Sequence, residues 1–303
     1  LSSVDISTST SYTGVFGYIN NATVKDLTVA GSVSSSNTHV GGIVGYMTGS
    51  STISGCTNKA NVSRTGKDSA NAYIGGIAGS SNASGCKISS CINEGKISST
   101  RPHSGGIVGN LTNDVVIEKC INKGTVTSSN SNVGGIVGYA QGASVIKLCY
   151  NKGQIQGSVR VGGLVGNMNT PSGWTINSVS NAIVISTGTV SALTESGKCG
   201  SVGGLVGVVT AGTLANCVHR DNTVLYRKKA DLSTLKNKIC VGGIAGYIES
   251  GGVVQNCYTY RTANNLGANN TGSGTSITTG YESYKTGMTA MGQVFGYNLG
   301  TVK

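Results

Sequence analysis

A phrase of two glycines, two aliphatic residues and a third glycine returns along this chain, and it constrains the fold more than any other feature. It reads GGIVGY at 41–46, GGIAGS at 75–80, GGIVGN at 105–110, GGIVGY at 134–139, GGLVGN at 162–167, GGLVGV at 203–208 and GGIAGY at 242–247, with weaker copies TGVFGY at 13–18 and GQVFGY at 292–297. Counted from Thr13, Gly41, Gly75, Gly105, Gly134, Gly162, Gly203, Gly242 and Gly292, the intervals are 28, 34, 30, 29, 28, 41, 39 and 50 residues. A unit near 28 to 30 residues, lengthened in places by insertions, points to a repeat architecture in which stacked copies share one core.

Aligning the copies turns positions into columns. An aliphatic column precedes the first glycine (Val40, Ile74, Val133, Val161, Val202, Val241, Met291), broken by Ser104. Two further columns follow the glycines, running Val15, Ile43, Ile77, Ile107, Ile136 and onward, and Phe16, Val44, Ala78, Val108, Val137 and onward. A second phrase follows each first one. It begins with a column of Leu27, Cys56, Cys91, Cys120, Cys149, Val179, Cys217 and Cys257, and two residues later comes Asn58, Asn93, Asn122, Asn151 and Asn181. Next stand Ala60, Gly95, Gly124 and Gly153, then Val62, Ile97, Val126 and Ile155. Glycine supplies backbone conformations closed to other residues, and asparagine caps bends, so this run reads as strand, corner, strand. An asparagine column at a corner can also hydrogen-bond from one copy to the next.

Short strands between Gly or Asn corners, without helical periodicity, predict an all-β fold, a parallel β-helix or β-solenoid. Three sides are expected: one strand around GGIVG, one ending at the cysteine and one after the Asn-x-Gly corner. Nine rungs at the inter-strand spacing would make a core about 43 Å long. A propeller is the rival, but its blades want larger aromatic cores and longer periods. The expected organisation is a single solenoid over 1–303, with a partial rung at 1–12, insertions at 182–201, 218–240 and 258–291, and a last phrase that stops before its Cys-Asn corner. Open end rungs expose strand edges, so a capping partner or a neighbouring copy stacked end to end is an expectation as well.

Composition agrees with a thin core. Among 303 residues there are 48 Gly but 2 Phe and 1 Trp, and the formal net charge is +11. That charge reflects few acids rather than a basic arm, so nucleic acid is not an expected partner. No apolar run is long enough for a transmembrane helix, and no direct membrane insertion is expected.

The phrases GGIVGY, GGIAGS, GGIVGN, GGLVGN and GGLVGV, each followed by a C-x-N-x-G-like corner, resemble the GLUG repeat of bacterial and protist surface proteins. That repeat occurs in adhesin-like proteins and in the noncatalytic part of some IgA-cleaving metallopeptidases. The likeness runs over about 12–303 and is weakest in the insertions. It implies an extracellular, noncatalytic rod at a cell surface or in an appendage or filament, with host or matrix glycans or proteins, or further copies of itself, as partners. The alternative is a carbohydrate-active β-helix enzyme or an accessory region of a larger secreted enzyme.

Candidate chemistry is sparse. Glycan-cleaving solenoids need clustered carboxylates, and the 11 acids here are scattered along the chain. Neither His-Glu-x-x-His nor Gly-x-Ser-x-Gly occurs, so no catalytic residue, metal ligand or cofactor is expected. His39 and His103 share a column two rungs apart, about 9.6 Å, and read as solvated surface residues. The column cysteines read as mostly reduced, stacked thiols, and Cys199 with Cys240 is the best disulfide candidate because the two precede neighbouring phrases. Tyr18, Tyr46, Tyr139, Tyr247 and Tyr297 follow their phrases, sharing a column with Asn110 and Asn167. They either contact glycans or cover the glycine strip. Arg220, Arg227, Lys228, Lys229, Lys236 and Lys238 form a basic insertion, either a site for anionic glycans or a soluble loop. Lys59, Glu94, Lys123 and Lys152 read as a solvated corner of mixed charge. Sequons stand at Asn21, Asn61, Asn82, Asn110 and Asn269.

Overall fold

The computed structural model describes residues 1–66, 71–170, 175–180, 184–186, 200–219, 224–226, 239–259, 266–268, 289–292, 295–298 and 301–302. Their architecture is a parallel β-solenoid. One coil runs through Gly31–Ser35, His39–Gly41, Val44–Thr48, Thr52–Ser54 and Thr57–Asn58. The next repeats it as Asn61–Arg64, Tyr73–Gly75, Ala78–Asn82, Lys87–Ser89 and Ile92–Asn93. Every pairing between coils is parallel, giving two nine-stranded sheets and one of 22 strands. The large sheet consists of three short ladders side by side, so the coils from Gly31 to Asn122 have five strand segments rather than the three expected, and in later coils single strands such as Val145–Asn151 and Val206–Ala215 span two ladders.

The expected strand around GGIVG is a corner. A strand ends on the first glycine, the second glycine and the aliphatic residue bend, and the chain re-enters a strand at Val44, Ala78, Val108 or Val137. The bend is forced by packing across the coil. A Cβ on Gly42 would overlap Asn58 Oδ1 and the Gly76 carbonyl, and Gly76, Gly106 and Gly135 meet Asn93, Asn122 and Asn151 in the same way. The two phrases are therefore halves of one contact, the glycine corner against the asparagine corner through the interior.

The asparagines form a ladder. Asn58 Nδ2 donates to Asn93 Oδ1, Asn93 Nδ2 to Asn122 Oδ1 and Asn122 Nδ2 to Asn151 Oδ1, each at 2.8 Å. Every Nδ2 also donates to its own corner, at Ala60 O, Gly95 O, Gly124 O and Gly153 O. Asn151, at the end of the run, turns its amide to Gly163 O at 2.7 Å. All four side chains are wholly buried, and this network satisfies polar groups that water cannot reach.

Register differs from the sequence columns in two places. Thr13 pairs with Val40 rather than aligning with Gly41, although Phe16 pairs with Val44, because the first corner uses one residue fewer. Ser178, not Val179, lies opposite Cys149, and Ser180 lies opposite Asn151, while Asn181 falls outside the described residues. The cause is a missing bend residue. Before the cysteine position the other coils place one residue at positive φ: Asp26, Gly55, Ser90, Lys119, Leu148, Asn216 and Asn256, with φ between 50° and 63°. Asn177 runs directly into Ser178, so the columns slip by one.

The core is a stack of small aliphatic columns, with Ile43, Ile77, Ile107 and Ile136 beside Val44, Ala78, Val108 and Val137, all fully buried. Cys56, Cys91, Cys120, Cys149 and Cys217 continue it as free thiols. Each thiol donates to the carbonyl two residues earlier at 3.2–3.4 Å, and the first four also lie 3.7–3.8 Å from a carbonyl of the coil below. Cys257 does the same at 3.3 Å and is half buried. The neighbouring Cys149 and Cys91 thiols, together with burial, push Cys120 well above the usual thiol range, so it stays protonated and unreactive.

Candidate binding surface

The outward side of the glycine corner carries rings. Tyr18 and Tyr46 stack at 5.6 Å with planes 11° apart. Tyr139 stands farther along the same column, but Ser80 and Asn110 separate it from Tyr46. Continuity comes from a second column two residues before the glycines, in which Tyr12, His39, Tyr73 and His103 are neighbours. Ring centroids link Tyr46 to His39 at 5.1 Å, His39 to Tyr73 at 4.9 Å, Tyr73 to His103 at 5.3 Å and His103 to Tyr139 at 5.1 Å. Tyr12 touches Tyr18, His39 and Tyr46. The result is an unbroken aromatic ribbon over five coils. The third glycine of each phrase permits it: a Cβ on Gly45 would strike the Thr13 amide and the Gly17 carbonyl.

Exposure grades along the ribbon. Tyr12 and Tyr18 are 43% and 51% exposed, while His103 is only 7% exposed. Tyr46, His39, Tyr73 and Tyr139 are half buried. The expectation of solvated histidines is corrected here, because ring packing removes His103, and to a lesser degree His39, from water. Desolvation lowers both imidazoles to about 4, so they are neutral at physiological pH. His103 Nδ1 pairs with Asn132 Nδ2 at 3.2 Å. Close by in sequence and register, Ser80 Oγ, Ser104 Oγ, Asn110 Oδ1 and Asn132 Oδ1 are buried without a hydrogen-bond partner. Exposed tyrosine rings, each an apolar face with a hydroxyl, are a chemistry suited to sugars, which offer apolar faces and hydroxyl groups together.

The remaining candidates are dispersed. Tyr247 is half buried and pairs in register with Val208 and with Tyr297, whose side chain lies outside the described residues. The basic insertion with Arg220, Arg227, Lys228, Lys229, Lys236 and Lys238 also lies outside them, as do Cys199, the side chain of Cys240 and Asn269. Asn21, Asn61 and Asn82 are exposed, but Asn110 is 7% exposed, so the folded chain offers no room for a glycan there. His219 occupies the asparagine column, packed against Gly204 and buried. The ring column of Tyr12, His39, Tyr73 and His103 was legible as an aromatic or imidazole two places before three successive phrases, yet only the histidines stand out without the register.

Among the described residues the acids do not converge. Glu94 lies between Lys59 at 3.7 Å and Lys123 at 2.9 Å, and Glu118 between Lys87 at 2.6 Å and Lys147 at 3.1 Å. Lys123 chiefly holds the Glu94 carboxyl below the usual carboxylate range, and Lys87 with Lys147 does so for Glu118. Both are therefore poor proton donors at neutral pH. Among the described residues, no three His, Cys, Asp or Glu side chains are grouped to hold a metal ion, and no helix is long and apolar enough to cross a membrane.

The model of the GLUG motif matches residues 36–63 and 129–156. The chain carries the GLUG motif. Each matched GLUG segment runs from just before the glycine corner to just past the asparagine corner, so the motif is the pair of corners that pack against each other. No curated protein and no solved structure matches the chain.

Proposed function

We propose that this chain is a noncatalytic extracellular rod of a cell surface or appendage, and that it holds saccharide on the aromatic ribbon. The observation that carries this reading is the ribbon itself: seven rings in contact along a stiff stack, grading from exposed Tyr12 and Tyr18 to half-buried and buried rings, with neutral imidazoles among them. Stacked rings give a sequence of apolar platforms at the coil spacing, and the phenol groups of the exposed Tyr12 and Tyr18 supply hydrogen bonds that orient a sugar. Asn58, Asn93, Asn122 and Asn151 are engaged in the interior ladder, and Glu94 and Glu118 are held as lysine-paired carboxylates, which favours binding over bond cleavage.

Binding of fluorescently labelled chain to an array of neutral and acidic glycans tests the reading. Retention of a neutral glycan class that falls at least tenfold in a Tyr46→Ala/Tyr73→Ala variant, measured below that variant's own cooperative unfolding transition, is the expected result. Unchanged retention in that variant removes the ribbon as the site. Release of reducing ends from any retained glycan would overturn the noncatalytic assignment.

A further inference from the structure

Across the coil interior from the glycine corner, the strands at the asparagine corner turn their asparagines inward and the preceding residues outward. Register sets Thr57, Ile92, Ile121 and Tyr150 in one outward column, each half buried. Three apolar residues in a row on an outer face are not explained by the core, which lies on the other side of the strand. Lysine rows flank them. On one side Lys59, Glu94, Lys123 and Lys152 follow the corner in one column; on the other Glu118 and Lys147 are paired in register, Lys87 stands two residues earlier in its strand and reaches Glu118, and Lys119 lies at the bend between.

The two glutamates do not balance this face. Each is already shared by two lysines, and six lysines against two glutamates leave a surplus of four positive charges over four coils. Lys152 lies 5.1 Å from the Tyr150 ring centre, so cation and ring meet at one spot. The mixed-charge corner of the sequence is thus a basic face with an apolar stripe. Along the column of Lys59, Lys123 and Lys152 the positive groups stand about 4.8 Å or twice that apart, and Lys87, Lys119 and Lys147 widen this into a basic strip along the axis rather than a pocket.

We propose that this face binds an acidic linear polysaccharide laid along the solenoid axis, its carboxylate or sulfate groups on the lysine rows and the apolar faces of its rings on Ile121 and Tyr150. The site is separate from the aromatic ribbon and does not depend on it. Charge supplies attraction to a polyanion, and the apolar stripe distinguishes sugar rings from bare phosphate or sulfate.

The test is titration of the full chain with dextran sulfate, uncharged dextran, and vesicles of phosphatidylcholine with and without phosphatidylserine, over a range of salt. Lys119→Gln/Lys123→Gln/Lys152→Gln is expected to weaken dextran sulfate binding at least tenfold at low salt and to reduce the slope of log affinity against log salt by roughly two to three. Ile121→Ser/Tyr150→Ser is expected to weaken it severalfold at an unchanged slope, a result that pure charge attraction does not produce. Arg227→Gln/Lys228→Gln/Lys229→Gln serves as the control for the basic insertion, and thermal unfolding of each variant verifies the fold. The inference is overturned if the insertion variant abolishes binding while the lysine-face variant binds like the parent. It is overturned equally if the apolar substitutions have no effect, or if anionic vesicles bind as tightly with the same dependence on Lys119, Lys123 and Lys152.

Discussion

Replacing Asn93 by alanine removes the middle of the asparagine ladder, and the structure allows its cost to be worked out. The side chain is wholly buried. Its amide donates to Gly95 O at 3.0 Å and Asn122 Oδ1 at 2.8 Å, and its oxygen accepts from Asn58 Nδ2 at 2.8 Å. Three buried hydrogen bonds are lost at about 1 kcal/mol each, and the facing atoms of Asn58 and Asn122 stay buried without this partner, which adds about 1–2 kcal/mol. The expected destabilisation is about 4–5 kcal/mol, seen as a lower urea midpoint at an unchanged slope in equilibrium unfolding followed by circular dichroism. Asn93→Asp is the sharper probe. It keeps the shape but sets a carboxylate oxygen against Asn122 Oδ1 and the Gly95 carbonyl, so the fold favours the protonated acid. That variant should be weak at pH 7 and recover as pH falls, the opposite of an ordinary salt-bridged carboxylate. A loss below about 1 kcal/mol in the alanine variant, or an aspartate variant as stable as the parent at neutral pH, would refute the ladder's role.

Other perturbations follow from single residues. Leu148 holds φ at 54° and is 61% exposed, so Leu148→Gly should raise the unfolding free energy by about 0.5–1 kcal/mol, whereas glycine at an ordinary strand position lowers it. Burial depresses His103 to about 4 in the fold against 6.5 when unfolded, so its contribution to stability is constant above about pH 7 and falls between 6.5 and 4 by up to about 3 kcal/mol; His39 adds to the same slope, and His103→Gln should reduce it in urea midpoints measured against pH. Cys56, Cys91, Cys120 and Cys149 should resist iodoacetamide in the native chain and react at once in urea, read by intact mass, because each thiol is buried and donates to a carbonyl.

The coil could be read from the sequence because one pattern recurs in every turn. Ile43, Ile77, Ile107 and Ile136 share an environment, so their columns are visible without coordinates, and Asn58, Asn93, Asn122 and Asn151 announce a shared corner. The bend before the cysteines could not be read, since its requirement is a backbone angle met by Asp26, Gly55, Ser90, Lys119 and Leu148 alike. That hidden position is also why the columns slip at Ser178. The histidines were misplaced for a related reason: burial of His103 comes from Tyr73 and Tyr139 on neighbouring coils, a contact fixed by register rather than by local sequence. The outer faces, where binding is proposed, carry different residues from coil to coil, so their character emerges only when the columns are set side by side.

Register is the claim on which both proposed surfaces and the asparagine ladder depend, and cysteine pairs on the outer face test it most directly. Thr57 and Ile92 are parallel neighbours on adjacent coils, and Ile121 is one coil farther, about 9.6 Å from Thr57. Under mild oxidation a Thr57→Cys/Ile92→Cys variant should close a disulfide, detected by intact mass before and after reduction, because adjacent in-register Cα atoms lie within bridging distance. Thr57→Cys/Ile121→Cys should remain open. Bridging in the second variant, or none in the first, would contradict the stacked, in-register solenoid.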